Sequence, residues 1–546
     1  MSTVSAFRRS PLIDPAFIAL PDNQVSVGGS FQNLLINAQP TLSHLSTSPL
    51  NQVIYAKLFG TQLPNANYFT QENSNQLPAY AESLLAKALC ALHYRDKDSL
   101  ISVMQSLSTL ATAIPHASEA ALIDASADLL RLTLELYRRA DYKPLLVLID
   151  TLRKHLPDIS NLFHSFPFNN AFEPVTNFTS ADEQAYHTRQ ALYATGITTA
   201  NMLAIVTLLS QYSGSARENA SIELGHTALQ RYHGMPCGAF SADPYLAGRN
   251  PSNSVELPAV CAQIESLLDA LLVKGDATYA DKIESLLENA LSDLIVENGI
   301  HSHIVTNRLA NDETCQCIQP NEMEVSSILR ALYAVRKSVF LQKDDNTFAY
   351  MLPIDASCML RIDSTPIRVK ATVTGVNQKR ILIQTQSATP VEVNLLLRIP
   401  SYATDAKITL PSGEVISAVG GTMHPITFVS GEAIVLHYTL TARVETGYRN
   451  SISIFVGPSL MAFPLPNAQA QWKYALVSGT PIMLKIENQS IHALISACEA
   501  SEWQEAQGRI VSLPSRVTNS SGYELTLIPV KETSGRLSAF PIASKK

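Results

Sequence analysis

Apolar residues recur along this 546-residue chain with two different periods. In "AYAESLLAKALCALHYRDKDSLISVMQSLSTLATAI" (79–114) they return every three or four positions, the spacing of one buried helical face. The spacing comes back in "SEAALIDASADLLRLTLELYRRADYKPLLVLIDTLRKHLP" (118–157), which reads as two helices joined near Asp141. It returns over 185–212, 215–233, 254–275 and 276–295, and last in "NEMEVSSILRALYAV" (321–335). The turns between are short and carry Gly and Asp, as in "KGDATYA" at 274–280. Each amphipathic helix needs a neighbour to cover its apolar stripe, so this succession predicts a toroid of helical hairpins over 79–335.

After about residue 336 the period becomes two. "TPIRVKATVTG", "KRILIQTQ", "VEVNLLLRIP", "EAIVLHYTL" and "SISIFVGPSLMAFPL" read as successive strands with Gly and Pro at the turns. Short strands without intervening helices predict an antiparallel β-sandwich over 336–500. Residues 501–546 read as a β-rich tail that closes a second sandwich or returns to the first domain. Residues 1–78, rich in Pro, Asn and Ser, read as an irregular segment wrapped over the surface.

Composition narrows the partners. The chain is 46% apolar and 16% charged, with a formal net charge of −7. Forty Lys and Arg are spread along it without a basic block, which argues against nucleic acid. No run approaches 18 apolar residues, so no transmembrane helix is expected. Pro11 and Pro15 interrupt the stretch after Arg8 and Arg9, which argues against a signal peptide and for a cytoplasmic protein. Seven cysteines are an odd count and too few for a disulfide scaffold. Cys90, Cys261 and Cys358 lie among apolar residues and read as buried thiols. The low charge density is compatible with a homodimer.

Two stretches break the helical pattern: "RYHGMPCGAFSADPYLAGRNPSNSVEL" (231–257) and "DETCQCIQPNEM" (312–323). The first resembles the signature of the β-L-arabinofuranosidase-like glycoside hydrolases. "HTRQALYATG" (187–196) is similar to the helix that precedes this signature in the family. "VEVNLLLRIPSYATDAKITLPSGE", "GEAIVLHYTLTARVE" and "SISIFVGPSLMAFPL" resemble its sandwich segments. The likeness runs from about 80 to 465. It implies a mainly α fold, an (α/α)6 toroid carrying the active site, followed by an antiparallel β-sandwich. It also implies retaining removal of arabinofuranose or related sugars, with a zinc-held cysteine thiolate as nucleophile and a glutamate as general acid/base. Zinc lowers a thiol's pKa, and a carboxylic acid must protonate the departing oxygen.

Residue by residue the likeness is incomplete. Glu256 matches the zinc-binding glutamate, but the cysteine expected two residues later is Pro258. Cys317 matches the first of an adjacent cysteine pair, nucleophile or ligand, and the second is Ile318. Asp243 keeps its place in the "SAD" turn, while the acidic residue expected after it is Pro244. The expected catalytic set is therefore Asp243, Glu256, Cys317 and Glu322, with Glu313 an alternative to Glu322. No resident cofactor is expected unless zinc is held by a rebuilt site of Glu256, Cys315 and Cys317, to which Cys261, His301 or His303 would add. Alternatively the pocket is metal-free with free thiols. His187, His233, Tyr245 and Arg249 are candidates for binding sugar hydroxyls. Core packing of His187 and a salt bridge for Arg249 are the plain alternatives.

Three functions stay open at this point. One is a glycoside-hydrolase-like protein acting on a small glycoside, not by zinc-cysteine chemistry. Another is a non-hydrolytic enzyme on the same barrel, a lyase, isomerase or cyclase. The third is a non-catalytic binding or scaffold protein. The expected partner is a small organic or sugar-like ligand, with neither nucleic acid nor membrane.

Overall fold

The computed structural model describes the chain except residues 1–7, 22–23, 44–47, 67–75, 298, 309–316, 363–364, 466–473, 478–484, 488–489, 498–503, 507–508, 513–516, 519–521 and 545–546. The helices are α1 (Gly29–Ser43), α2 (Pro49–Phe59), α3 (Leu77–Tyr94), α4 (Lys97–Leu110), α5 (Glu119–Ala140), α6 (Pro144–His155), α7 (Ile159–His164), α8 (Ala181–Tyr193), α9 (Gly196–Ser213), α10 (Ala216–His233), α11 (Leu257–Lys274) and α12 (Ala277–Leu286). A π-turn at Leu287–Leu291 leads into the single-turn α13 (Ser292–Leu294), and α14 (Glu322–Val339) follows. Among the described residues no helix is long and apolar enough to cross a membrane.

The ring follows from which helices touch. α3 packs on α5, α5 on α9, α9 on α11 and α11 on α14. α2 touches both α14 and α3 and closes a circle of six inner helices. α1, α4, α6, α10 and α12 cover inner partners from outside. Local chemistry starts and stops them as the turns suggest. Ser118, Thr195 and Ser215 cap α5, α9 and α10 with their hydroxyls, and Asn321 opens α14 with a reciprocal capping box to Glu324. Gly214 and Gly275 end α9 and α11 in the left-handed conformation.

The N-terminal segment corrects the sequence reading. Residues 29–43 and 49–59 are helical, and α2 is a member of the inner ring rather than a surface wrap. Phe31, Leu34, Leu35, Ala38 and Leu42 do keep helical spacing and are buried. The Asn and Gln between them, and Pro40 inside α1, hide that spacing. Upstream, Ile18–Ala19 and Val25–Val27 are sandwich strands.

The sandwich has a five-stranded and a seven-stranded sheet, built from residues 340–440 and those two N-terminal strands. Its longer strands alternate buried and exposed residues, as in Thr365–Thr374. A further sheet begins at Ala442, not at 501, and the tail is woven into it: Gly522–Pro529 pairs with Ser459–Leu465 and Ser490–Ala497. Buried ion pairs lock the layers to the toroid. Arg398 binds Asp281 and Glu284 of the α12 hairpin, and Arg536 binds Asp293. Cys90, Cys261 and Cys358 are buried, as their apolar surroundings suggest.

A belt of charge crosses the middle of the ring. Arg131 of α5 meets Asp269 at 2.7 Å, Asp128 at 3.0 Å and Glu265 at 3.3 Å. Arg330 of α14 meets Asp128 at 2.7 Å and Glu265 at 2.9 Å. Burial pushes the Asp128 carboxyl up, but Arg330 and Arg131 bring it below its ordinary value. The toroid is thus filled at its waist by ion pairs rather than by apolar side chains.

Candidate functional site

The six inner helices run parallel, because the C-terminal halves of all six line one and the same cavity. Their N-termini therefore gather at the opposite end. The loop 234–256 arrives there between α10 and α11. It folds on itself through backbone bonds: Met235 N donates to Ala239 O at 2.8 Å, and Asp243 N donates to Tyr245 O at 3.0 Å. Gln263 of α11 holds Phe240 by both its backbone groups. Gly196, the first residue of α9, lets the loop come close. A Cβ there would lie 2.5 Å from that of Ala242 and 2.8 Å from that of Ala259.

Strand Ser254–Glu256 pairs with His303–Val305, so Glu256 stands opposite His303. Ser254 Oγ donates to Asp243 Oδ2, and His303 Nε2 lies 3.2 Å from Asp243 Oδ1. His303 Nδ1 is 2.8 Å from Ser302 Oγ. Nε2 therefore faces the carboxylate while Nδ1 is tied to the neighbouring hydroxyl, which fixes the ring between them. Glu256 is the residue before the first turn of α11, yet its side chain caps no N–H and stays available to the site. Pro258 sits in that first turn, where no donor is needed, so a local structural reason exists for the proline.

Electrostatics acts on Glu256 from several sides. Burial pushes Glu256 above its ordinary value, the charge of Asp243 adds to this, and His303 opposes it. Glu324, in the first turn of α14, adds a smaller push in the same direction. One acid facing the charged belt escaped the sequence reading. Glu82 of α3 is raised by burial and further by Asp128, Glu322 and Glu265, against the pull of Arg330. It is the one acid of α3, which in sequence looks like part of a solvated face.

The expected site residues divide into groups. Asp243 and Glu256 come together, and His303, expected only as a metal ligand, joins them. Glu322 stands at the start of α14, within the field of Glu82. Tyr245 forms a bridge with Thr195 at the head of α9 and packs on Phe172, 5.4 Å between ring centres. Arg249 makes no ion pair among the described residues, and its Nε is buried without an acceptor. His233 is fully buried. Its Nε2 is 2.7 Å from Phe168 O and its Nδ1 accepts from Gly248 N at 2.9 Å, so neither nitrogen is left for a sugar; the ring braces the loop. His187 lies half-buried on the largely exposed α8, against Phe178 and Tyr186.

Cys317 is exposed, on a short strand paired to Gly299–His301. It does not share the strand pair that holds Glu256. His301 Nδ1 is engaged with Asp293 O at 2.8 Å, and Cys261 is buried in α11. Among the described residues no three His, Cys, Asp or Glu side chains converge as a metal ion requires. The described residues therefore do not fit the zinc that the resemblance implies; Cys315 and Glu313 lie outside them.

This architecture, a six-hairpin toroid with sandwich sheets beside it, is a fold found among solved glycoside hydrolases. It matches over nearly its whole length a solved structure described as a glycoside hydrolase, with a TM-score of 0.71 at 12% identity, covering 98% of this chain and 99% of the other. A GH127 β-L-arabinofuranosidase from Geobacillus stearothermophilus T6 matches with 0.60 at 14% identity, covering 95% and 91%. A further GH127 β-arabinofuranosidase matches with 0.57 at 14% identity, covering 97% and 99%. The sequence itself matches no family model and no curated protein. The fold read from the loop and sandwich motifs is thus the fold of these enzymes.

Proposed function

We propose that the protein is a glycoside-hydrolase-like enzyme that acts on a small glycoside at the N-terminal end of its toroid, through paired carboxyls rather than a zinc-held thiolate. The observation that carries this reading is the juxtaposition of Asp243 and Glu256 on one loop-and-strand unit, with environments that separate their roles. Glu256, raised by burial and by its neighbour's charge, keeps a proton to give to the leaving oxygen. Asp243, held by Ser254 and facing His303, is the fixed negative charge that stabilises the oxocarbenium-like sugar or attacks it. The same pair in a hydrolase must then activate water, with Glu256 as the base on the return step.

The fold shared with arabinofuranosidases supports a sugar substrate. The departures at Pro244, Pro258 and Ile318 support a mechanism other than zinc-cysteine chemistry. The test is turnover of a panel of aryl glycosides, pentofuranosides included, by the wild type and by Glu256→Gln. Hydrolysis of one of them, lowered about 10²–10⁴-fold in the variant, is the expected result. Equal rates in both would refute the assignment.

A further inference from the structure

The cavity at the other end of the toroid, about 900 Å³, belongs to no part of the site described above. We infer that it is a second binding site, for an amphiphilic anion with a carboxylate or phosphate head on an apolar body. Interiors pack with few voids larger than a water molecule, so this volume is not a packing defect. It falls within the range of small-molecule sites.

The lining is layered along the helices. The ion-pair belt of Asp128, Arg131, Glu265, Asp269 and Arg330 forms the floor, and its arginines are fully engaged with its carboxylates. Above it stands an apolar collar of Leu85, Leu89, Leu132, Leu208, Leu268 and Leu272, one or two residues from each of α3, α5, α9 and α11. Toward the helix ends come Lys57, Arg95, Arg138, Arg139, Lys337 and, from the sandwich, Arg361. Over the whole lining eight lysines and arginines stand against five carboxylates. Pro15–Pro21 and the sandwich residue Gln342 complete the wall.

Helix dipoles explain part of the cationic layer. Six parallel helices present their negative ends here, and a lysine or arginine in a last turn offsets one of them. Arg138, in the last turn of α5, is set apart from the others by its burial. This residue is 6% exposed and donates to Ile13 O at 2.9 Å and Gln211 Oε1 at 3.0 Å, with its Nε meeting no acceptor. Among the described residues no carboxylate pairs with it. Glu135 and Asp14 act on it only through space, and a buried guanidinium with no direct ion pair is costly; an anion in the adjoining cavity lowers that cost. The collar beneath it offers leucine side chains to an alkyl or ring body, which sets the class of ligand.

The probes are sodium decanoate and decyl phosphate, titrated calorimetrically into the full chain, with decyltrimethylammonium as the charge-reversed control. Saturable one-to-one binding of at least one anion, about tenfold or more tighter than the ammonium, is expected. Whichever anion binds more tightly identifies the head group as carboxylate or phosphate. Leu89→Trp, which fills the collar, lowers the affinity about tenfold or more, and Lys337→Gln, at the helix end, lowers it about fivefold. Circular dichroism melts establish that each variant is folded. Failure of both anions to bind the wild type would overturn the proposal. So would equal binding of the ammonium, or unchanged affinity in two folded variants.

Discussion

At one end of the toroid, helix N-termini surround carboxyls that neighbouring residues hold in place. At the other, helix C-termini surround leucines and cations around empty space. The same six parallel helices produce both, and the belt of Arg131 and Arg330 with their three carboxylates separates them. The loop end is precise because a backbone-bonded loop, a strand pair and a close glycine contact each limit Asp243 and Glu256. The cavity end is roomy because helix faces make most of its wall, and the N-terminal segment Pro15–Pro21 lines it without filling it. Position fixed by many partners suits chemistry, whereas volume with a charged margin suits binding.

The belt should dominate stability. Replacing Arg330 by Ala leaves Asp128 and Glu265 with one fewer cation in a buried setting, at a cost of about 3–5 kcal/mol. Denaturant unfolding checks this, and a loss below about 1 kcal/mol would show that the belt does not tie the two ends together. Gly196→Ala should damage the loop end alone. The 2.5 Å contact with Ala242 forces the loop outward, costing about 1–3 kcal/mol and lowering turnover while leaving the cavity end intact. Stability curves alongside decanoate binding would separate the two effects.

Titration sharpens the comparison further. The Glu256 carboxyl is raised above 4.5, so its protonated, acid form persists at a pH where an ordinary glutamate has lost it. Activity that needs this acid is present below the raised value and declines as pH rises through it. The alkaline limb of the kcat/KM profile should therefore lie above 4.5. The titration limb of Glu256 itself, followed by carboxyl NMR, should shift downward in Asp243→Asn, which removes a charge that raises Glu256. A limb that does not move would deny the coupling.

The sequence revealed the ring better than the site. Segments such as 79–114 and 254–275 carry long apolar repeats, and the change of period near 336 marks the sandwich. α2 escaped because eleven residues are too few to show a period, and only its closure against α3 and α14 reveals its role. Asp243 and Glu256 were legible through the loop motif. His303 was legible only as a histidine, since strand register, not spacing, sets it opposite Glu256. Glu82 could not be found, because the neighbours that raise it, Asp128, Glu322 and Glu265, come round it only once the ring closes. His233 looked like a pocket wall beside its glycine, whereas the fold uses both its nitrogens on backbone partners.

The most direct test sets a carboxyl against a thiol in one assay. Initial rates on aryl glycosides, an aryl β-L-arabinofuranoside among them, are measured for the wild type, Glu256→Gln and Cys317→Ala. The paired-carboxyl account predicts a loss of about 10²–10⁴-fold in Glu256→Gln and a change within about twofold in Cys317→Ala. Loss of activity in Cys317→Ala with activity retained in Glu256→Gln would contradict it, as would a wild type that turns over no glycoside.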